Sequence, residues 1–178
     1  HAYRVASGID SMILGETQIL GQIKQASKLA EYAGTQGKIL SHLFQKTFET
    51  AKKVRTETLI GASSTTIASC IFKLAKKIFG DLDEINILFV GAGEMNELCA
   101  KYFCDHNPKK IAIANRSIQN AKKLASEINA ETILLGDINH KIHQYDIVIS
   151  CTGSQLPIIG LGLIEKSIKL RKHKPMLL

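Results

Sequence analysis

Two glycines, Gly91 and Gly93, stand directly after the apolar run Ile85, Ile87, Leu88, Phe89 and Val90. A run of that length and composition reads as a buried parallel strand. A strand that breaks into glycines and then turns amphipathic makes a tight turn and a helix start, where backbone N–H groups face the phosphates of a dinucleotide. The turn comprises Gly91, Ala92, Gly93, Glu94 and Met95. Its G-x-G-x-x-G pattern is incomplete, because the third glycine is Asn96, at a position that serves helix–strand packing rather than phosphate contact. Plain turn chemistry is the alternative, since G-x-G also follows strands that bind nothing.

Downstream, where a second strand ends, the chain reads Asn115-Arg116-Ser117 in place of the Asp or Glu that would hold the ribose hydroxyls of NAD. A guanidinium holds a 2′-phosphate through charge-assisted hydrogen bonds, with Asn and Ser adding polar contacts, which favours NADP(H). The alternative makes Arg116 an exposed residue at a helix start and Ser117 its N-cap. At the end of a fourth strand, Thr152 and Gly153 are either neighbours of the nicotinamide-side ribose or turn residues. A further block, residues 1–24, sets His1, Arg4, Ser7, Asp10, Ser11, Glu16 and Gln18 among apolar residues, denser in polar groups than a helix pair needs.

The elements that must position these residues follow from periodicity. Residues 4–14 carry a weak helical pattern. Ile19, Ile23, Ala26, Leu29, Ala30 and Ala33 predict an amphipathic helix ended by Gly34. A second helix spans 38–58, a break falls at 61–64, and a third helix spans 66–79 and is closed by Gly80. Beyond it strands at 85–90, 111–114, 132–135 and 146–150 alternate with helices at 94–105, 118–128, 138–143 and 162–170. That alternation implies an α/β fold, a Rossmann-like parallel sheet with helices on both faces, preceded by a helical segment. The expected division is 1–60 and 61–178. The chain starts at His1 without an initiator methionine and ends in Met176-Leu177-Leu178 after Pro175, which reads as a strand cut short and a piece of a longer protein.

Composition excludes several classes. With 45% hydrophobic and 22% charged residues the sequence is that of an ordinary globular protein. No apolar run approaches the roughly 20 residues needed to span a bilayer, so no membrane partner is expected and the cytoplasm is the expected compartment. Cys70, Cys99, Cys104 and Cys151 show neither paired spacing nor histidine partners, so no metal site or disulfide framework is expected. The net charge of +7 is spread over both halves and would tolerate a polyanionic partner such as RNA.

The block at 1–24 resembles the signature of glutamyl-tRNA reductase: a His, then VASG, then DSM-x-LGE-x-QILGQ-x-K. The resemblance continues through LFQKTFETAKKVRTET, IGASS, GAGEM, ANRS, ISCTGS and PIIG, and so covers essentially the whole chain. It implies an NADPH-dependent enzyme of tetrapyrrole (heme) biosynthesis. In that family a cysteine attacks the ester linking glutamate to its tRNA, and hydride from NADPH reduces the resulting thioester to glutamate-1-semialdehyde. By similarity His1 is the active-site histidine, and Ser11, Gln18 and, less directly, Glu16 line the glutamate pocket. Gly91, Ala92, Gly93, Glu94, Met95, Asn115, Arg116, Ser117, Thr152 and Gly153 hold the cofactor.

The resemblance also implies glutamyl-tRNA as substrate, glutamate-1-semialdehyde aminomutase as a partner, and a homodimer formed through a C-terminal helical domain. The family's nucleophilic cysteine and glutamate-binding arginine lie upstream of the signature histidine, and none of the four cysteines here stands in the nucleophile's place. Thr17 stands where many relatives have proline, a tolerable change at a helix start. A shikimate-dehydrogenase-like NADP oxidoreductase and a noncatalytic NADP-sensing or RNA-binding module are the alternatives.

Overall fold

The computed structural model describes residues 1–61 and 66–178, so the expected break at 61–64 lies largely outside the described residues. The chain forms two compact units, residues 1–70 and 71–178.

The first unit is helical, with α1 (Ala2–Ala6), α2 (Gln18–Tyr32), α3 (Lys38–Glu57) and a 3-10 turn at Leu59–Gly61. The turn between α2 and α3 is laced by Gln36, whose Oε1 accepts from Ser27 Oγ at 3.0 Å and whose Nε2 donates to Ser41 Oγ at 3.2 Å. The weak helical pattern at 4–14 is realised only as far as Ala6. Gly8 at φ +72° and Gly15 at φ +81° are left-handed, and the segment between them is loop. α4 (Ile67–Phe79) carries the chain onward, and Gly80 ends it at φ +76°.

The second unit is a four-stranded parallel sheet, β1 (Asn86–Val90), β2 (Lys110–Asn115), β3 (Glu131–Leu134) and β4 (Ile147–Ser150), in the order β3-β2-β1-β4. Each strand lies within one residue of the boundaries its composition predicts. Strands pleat with period two, and the two resulting faces are both apolar. Leu88, Val90, Ala112, Ala114 and Val148 share one buried cluster with Ile138 of α7 (Ile138–Lys141), Ile142 and Tyr145, and Leu163 and Ile164 of α8 (Leu161–Leu170) pack against it. On the other side Phe103 of α5 (Glu94–Cys104) meets Phe89 edge-on, with ring centroids 6.2 Å apart, and Phe72 at 5.7 Å. α6 (Ile118–Glu127) links β2 to β3 and buries Ala121, Leu124 and Ala125.

One polar device holds the far edge. Arg171, nearly fully buried, donates to Tyr145 O at 2.8 Å, His143 O at 3.0 Å and Pro175 O at 2.7 Å, and pairs with Asp146 Oδ1 at 2.7 Å. Asp146 Oδ2 in turn accepts from Asn86 N at 2.9 Å. The guanidinium thereby draws the segment after α8 onto β4, where Leu177 makes a parallel bridge with Ile147.

Candidate functional site

The order β3-β2-β1-β4 puts the reversal of strand progression between β1 and β4. Ligands of open α/β sheets bind outside the carboxyl ends of the strands at that point. There the structure holds a cleft of about 680 Å³ lined by residues that follow all four strands. Gly91, Ala92 and Gly93 come from β1, Asn115, Arg116 and Asn120 from the exit of β2, Leu135 from β3, and 151–156 with Ile158 from β4.

The two glycines are there for different reasons. Gly91 has φ +105°, and a Cβ on it would stand 2.3 Å from Cys151 O, so the protein itself forbids a side chain. Gly93 has an extended backbone and nothing within 4 Å of a Cβ. It is the N-cap of α5 and has no side-chain capping bond, so the first amides of the helix are left for an external acceptor. Gly91 N donates to Ala114 O at 2.7 Å and Cys151 N to Val90 O at 3.1 Å, which ties the turn to both neighbouring strands.

At the exit of β2 the side chains divide their work. Asn115 Nδ2 donates to Ser117 O at 3.1 Å, and Ser117 Oγ accepts from Asn120 N as the N-cap of α6. Arg116 is exposed and lines the cleft. It is the one cationic side chain among the lining residues, which include no carboxylate. A helix N-terminus and a guanidinium at one cleft, with no carboxylate among the lining residues and Glu94 and Glu97 in the first turn of α5 outside it, can receive an extended anion with phosphates at two places.

Of the residues expected to bind cofactor, Gly91, Ala92, Gly93, Asn115, Arg116, Thr152 and Gly153 line this cleft, whereas Glu94, Met95 and Ser117 flank it. The sequence did not single out Asn120, Leu135, Cys151, Ser154, Gln155, Leu156 and Ile158, which complete the lining. Asn120 sits in the first turn of α6 and Leu135 just after β3, and their positions at strand exits are the signal that would find them. Cys99 lies under the turn on α5, and burial together with the nearby Cys151 thiol pushes its thiol up to about 11. It is therefore a protonated packing group at neutral pH.

The other expected residues lie in the helical unit. His1 Nδ1 stands 3.3 Å from Asp10 Oδ2, and both side chains are exposed. Next to Asp10, Ser11 Oγ donates to the buried Glu16 Oε1 at 2.5 Å and accepts from Ile13 N at 3.2 Å. Arg55 of α3 donates to Gly15 O at 3.1 Å, and Gly15 could carry no Cβ because it would stand 2.8 Å from Ile60 O. The loop is thus closed from both sides. Gln18 opens α2, and its Oε1 is buried with no hydrogen-bond partner among the described residues. The structure therefore joins His1 to Asp10 and Ser11 to Glu16 along one loop, and records no direct contact of Gln18 with either pair.

The fold and the cleft define a class, the dinucleotide-binding α/β dehydrogenases. Residues 73–178 match the family model described as shikimate / quinate 5-dehydrogenase. Residues 1–58 match that of the N-terminal domain of glutamyl-tRNAGlu reductase. The chain is 57% identical over 176 residues to a glutamyl-tRNA reductase of Albidiferax ferrireducens and 56% identical to one of Polaromonas naphthalenivorans, in each case over 99% of this chain. It spans 42% and 41% of those proteins. Among solved structures, the glutamyl-tRNA reductase from Methanopyrus kandleri matches with a TM-score of 0.60 and 31% identity, over 99% of this chain and 44% of that one. The nucleotide binding domain of the Thermoplasma volcanium enzyme matches with a TM-score of 0.50 and 27% identity, over 57% of this chain and 70% of that one. The chain belongs to the glutamyl-tRNA reductase family.

Proposed function

We propose that this chain is the cofactor-binding part, with the end of the substrate-binding part, of an NADPH-dependent reductase that converts glutamyl-tRNA to glutamate-1-semialdehyde for tetrapyrrole synthesis. The observation that carries the reading is its continuous 57% identity, over 176 residues, to a protein named glutamyl-tRNA reductase. One alignment runs through both the loop of Ser11 and Glu16 and the cleft of Gly91 and Arg116. The cleft supports a nicotinamide cofactor, which supplies the hydride when bound. Arg116 and the absence of a carboxylate among the lining residues support its phosphorylated form.

In this reading residues 1–60 belong with the substrate and 61–178 with the cofactor. Gly91, Ala92 and Gly93 let the pyrophosphate reach the α5 N-terminus, with Glu94 and Met95 as the first helical residues behind it. Asn115 and Ser117 hold the loop that presents Arg116 to the 2′-phosphate, and Thr152 and Gly153 face the nicotinamide-side ribose. His1 moves a proton at, or orients, the reacting carbonyl, with Asp10 holding its Nδ1. Ser11, Glu16 and Gln18 offer hydrogen bonds to the glutamyl group.

By the resemblance, the nucleophilic cysteine and the glutamate-binding arginine belong to the part of the protein that precedes the signature histidine. The reading therefore expects the chain by itself to bind NADPH without forming semialdehyde. It also expects the intact protein to be a cytoplasmic homodimer that passes its product to glutamate-1-semialdehyde aminomutase. The test is to supply the intact protein with glutamyl-tRNA and NADPH and measure semialdehyde. The expected result is product formation, with His1→Ala lowering kcat by roughly 10²- to 10⁴-fold. NADP-dependent oxidation of shikimate with no turnover of glutamyl-tRNA would overturn the reading in favour of the shikimate-dehydrogenase-like alternative.

A further inference from the structure

Asn96 is where the glycine turn departs from its pattern, and the structure gives the departure a purpose. The side chain is fully buried, at 0% exposure. Its Nδ2 donates to two successive main-chain carbonyls, Val90 O at 2.8 Å and Gly91 O at 2.9 Å. Only the amide nitrogen can donate and both neighbours only accept, so the orientation of the side chain follows from its chemistry. Its Oδ1 has no hydrogen-bond partner among the described residues. A buried acceptor without a partner costs stability. Glycine or alanine would fill the position without that cost, so space-filling does not account for an asparagine here.

In a trans peptide the carbonyl and the following N–H point in opposite directions, and among the described residues there are no cis bonds. Drawing Gly91 O inward onto Asn96 therefore turns the Ala92 N–H outward, and Ala92 lines the cleft. The preceding plane obeys the same rule: Val90 O bonds Asn96 and Cys151 N, while Gly91 N–H bonds Ala114 O on β2. Gly91, at φ +105°, is the residue about which the second plane would otherwise turn most freely. One side-chain amide thus holds two consecutive peptide planes, the first locked into the sheet and the second aimed at the cleft.

We propose that Asn96 is a positioning residue of the dinucleotide turn. Its amide fixes the Gly91–Ala92 peptide so that the Ala92 N–H faces the pyrophosphate, supplying by two hydrogen bonds the order that a third glycine supplies by close packing. The proposal rests on the dinucleotide reading of the cleft. Arg116 and the α5 N-terminus attract the ligand, whereas Asn96 touches none of it and sets the direction of a donor.

The intact protein, titrated with NADPH and with 2′-AMP, separates these roles, because 2′-AMP carries the 2′-phosphate and lacks the pyrophosphate. In N96A the affinity for NADPH is expected to fall about tenfold and that for 2′-AMP to stay within about twofold, the size of one lost buried hydrogen-bonding group. In N96D the introduced carboxyl is buried against two carbonyls, which raises its pKa and makes its ionised form repel both. NADPH affinity is expected to recover relative to wild type as pH falls and the introduced carboxyl gains a proton to donate. Replacing a residue that only fills space would weaken the binding of both ligands alike. Either variant alone decides the matter if the other does not fold. Wild-type NADPH affinity in N96A, equal loss of both ligands, or a flat pH response in N96D would overturn the proposal. A wild-type protein that binds neither ligand would overturn the dinucleotide reading and this inference together.

Discussion

The two units carry different apolar patterns, helical spacing in the first and continuous runs in the strands of the second, and they bury them to different extents. In the sheet unit Ile87, Leu88, Phe89 and Val90 are completely buried, because each strand is flanked by its neighbours and covered by the helices that connect them. In the helical unit the buried positions of α2 and α3 are Ser27, Thr47 and Ala51, while Tyr32 is 91% exposed and Ile39 86%. A crossover sheet generates its own cover, whereas a helix pair can shield only the strip where the two helices touch. The consequence reaches the candidate sites. The cleft at β1 is an extension of the packed core, fixed by main-chain geometry. The loop of Ser11 and Glu16 is held by side-chain hydrogen bonds and by Arg55 on two carbonyls.

That contrast is open to attack by substitution. The largest effect should come from Gly91→Ala, which sets a Cβ against Cys151 O at a left-handed φ and should cost about 3 kcal/mol or more, with loss of dinucleotide binding. Urea unfolding and a cofactor titration would show both. Leu88→Ala, which opens a cavity in the cluster it shares with Ile138, Ile142 and Tyr145, should cost about 3 kcal/mol in the same unfolding measurement.

Alkaline pH should weaken the sheet unit next. Burial pushes the Cys99 thiol up to about 11 and the Tyr145 hydroxyl up to about 12, so between about 9 and 12 the folded form holds more protons than the unfolded chain. Stability contributed by the neutral groups is complete below their ordinary values and is lost as pH rises, by up to about 1.4 kcal/mol per pH unit for each group. Unfolding followed from pH 8 to 11 would check the slope, and Cys99→Ala should flatten the part of it between 9 and 11. The smallest effect should be that of Ile39→Ser on α3, within about 0.5 kcal/mol of wild type. An Ile39 variant as costly as Leu88→Ala would erase the contrast between the units.

Most of the sheet unit was legible in the sequence because its signals are local and agree with one another. An apolar run of β-branched and aromatic residues ending in glycine can be little else than a strand entering a turn, and Ser117 before an amphipathic stretch reads as the cap it is. Seven of the fourteen residues that line the cleft were legible from the glycine turn and the strand exits. The rest depends on contacts distant in sequence. Nothing in Arg171 itself says that it will bond His143, Tyr145 and Asp146, and nothing in Asn96 says that its amide will reach back five and six residues. By its pattern Asn96 was a flaw in the motif, whereas in the structure it is the bond that closes the turn. The segment at 4–14 misled for a related reason. Its apolar spacing suits a helix, but Gly8 and Gly15 take left-handed conformations that a helix excludes, and the contact of Gly15 with Ile60 is not visible locally.

The cleft at the carboxyl edge of β1 and β2 is proposed to hold a dinucleotide whose 2′-phosphate is read by Arg116. Titration of wild type and Arg116→Ala with NADPH and NADH tests it directly. The substitution is expected to weaken NADPH binding about 10- to 100-fold, the size of a charge-assisted contact to phosphate, and NADH binding less than about threefold. Equal loss for the two cofactors, or no loss for NADPH, would contradict it.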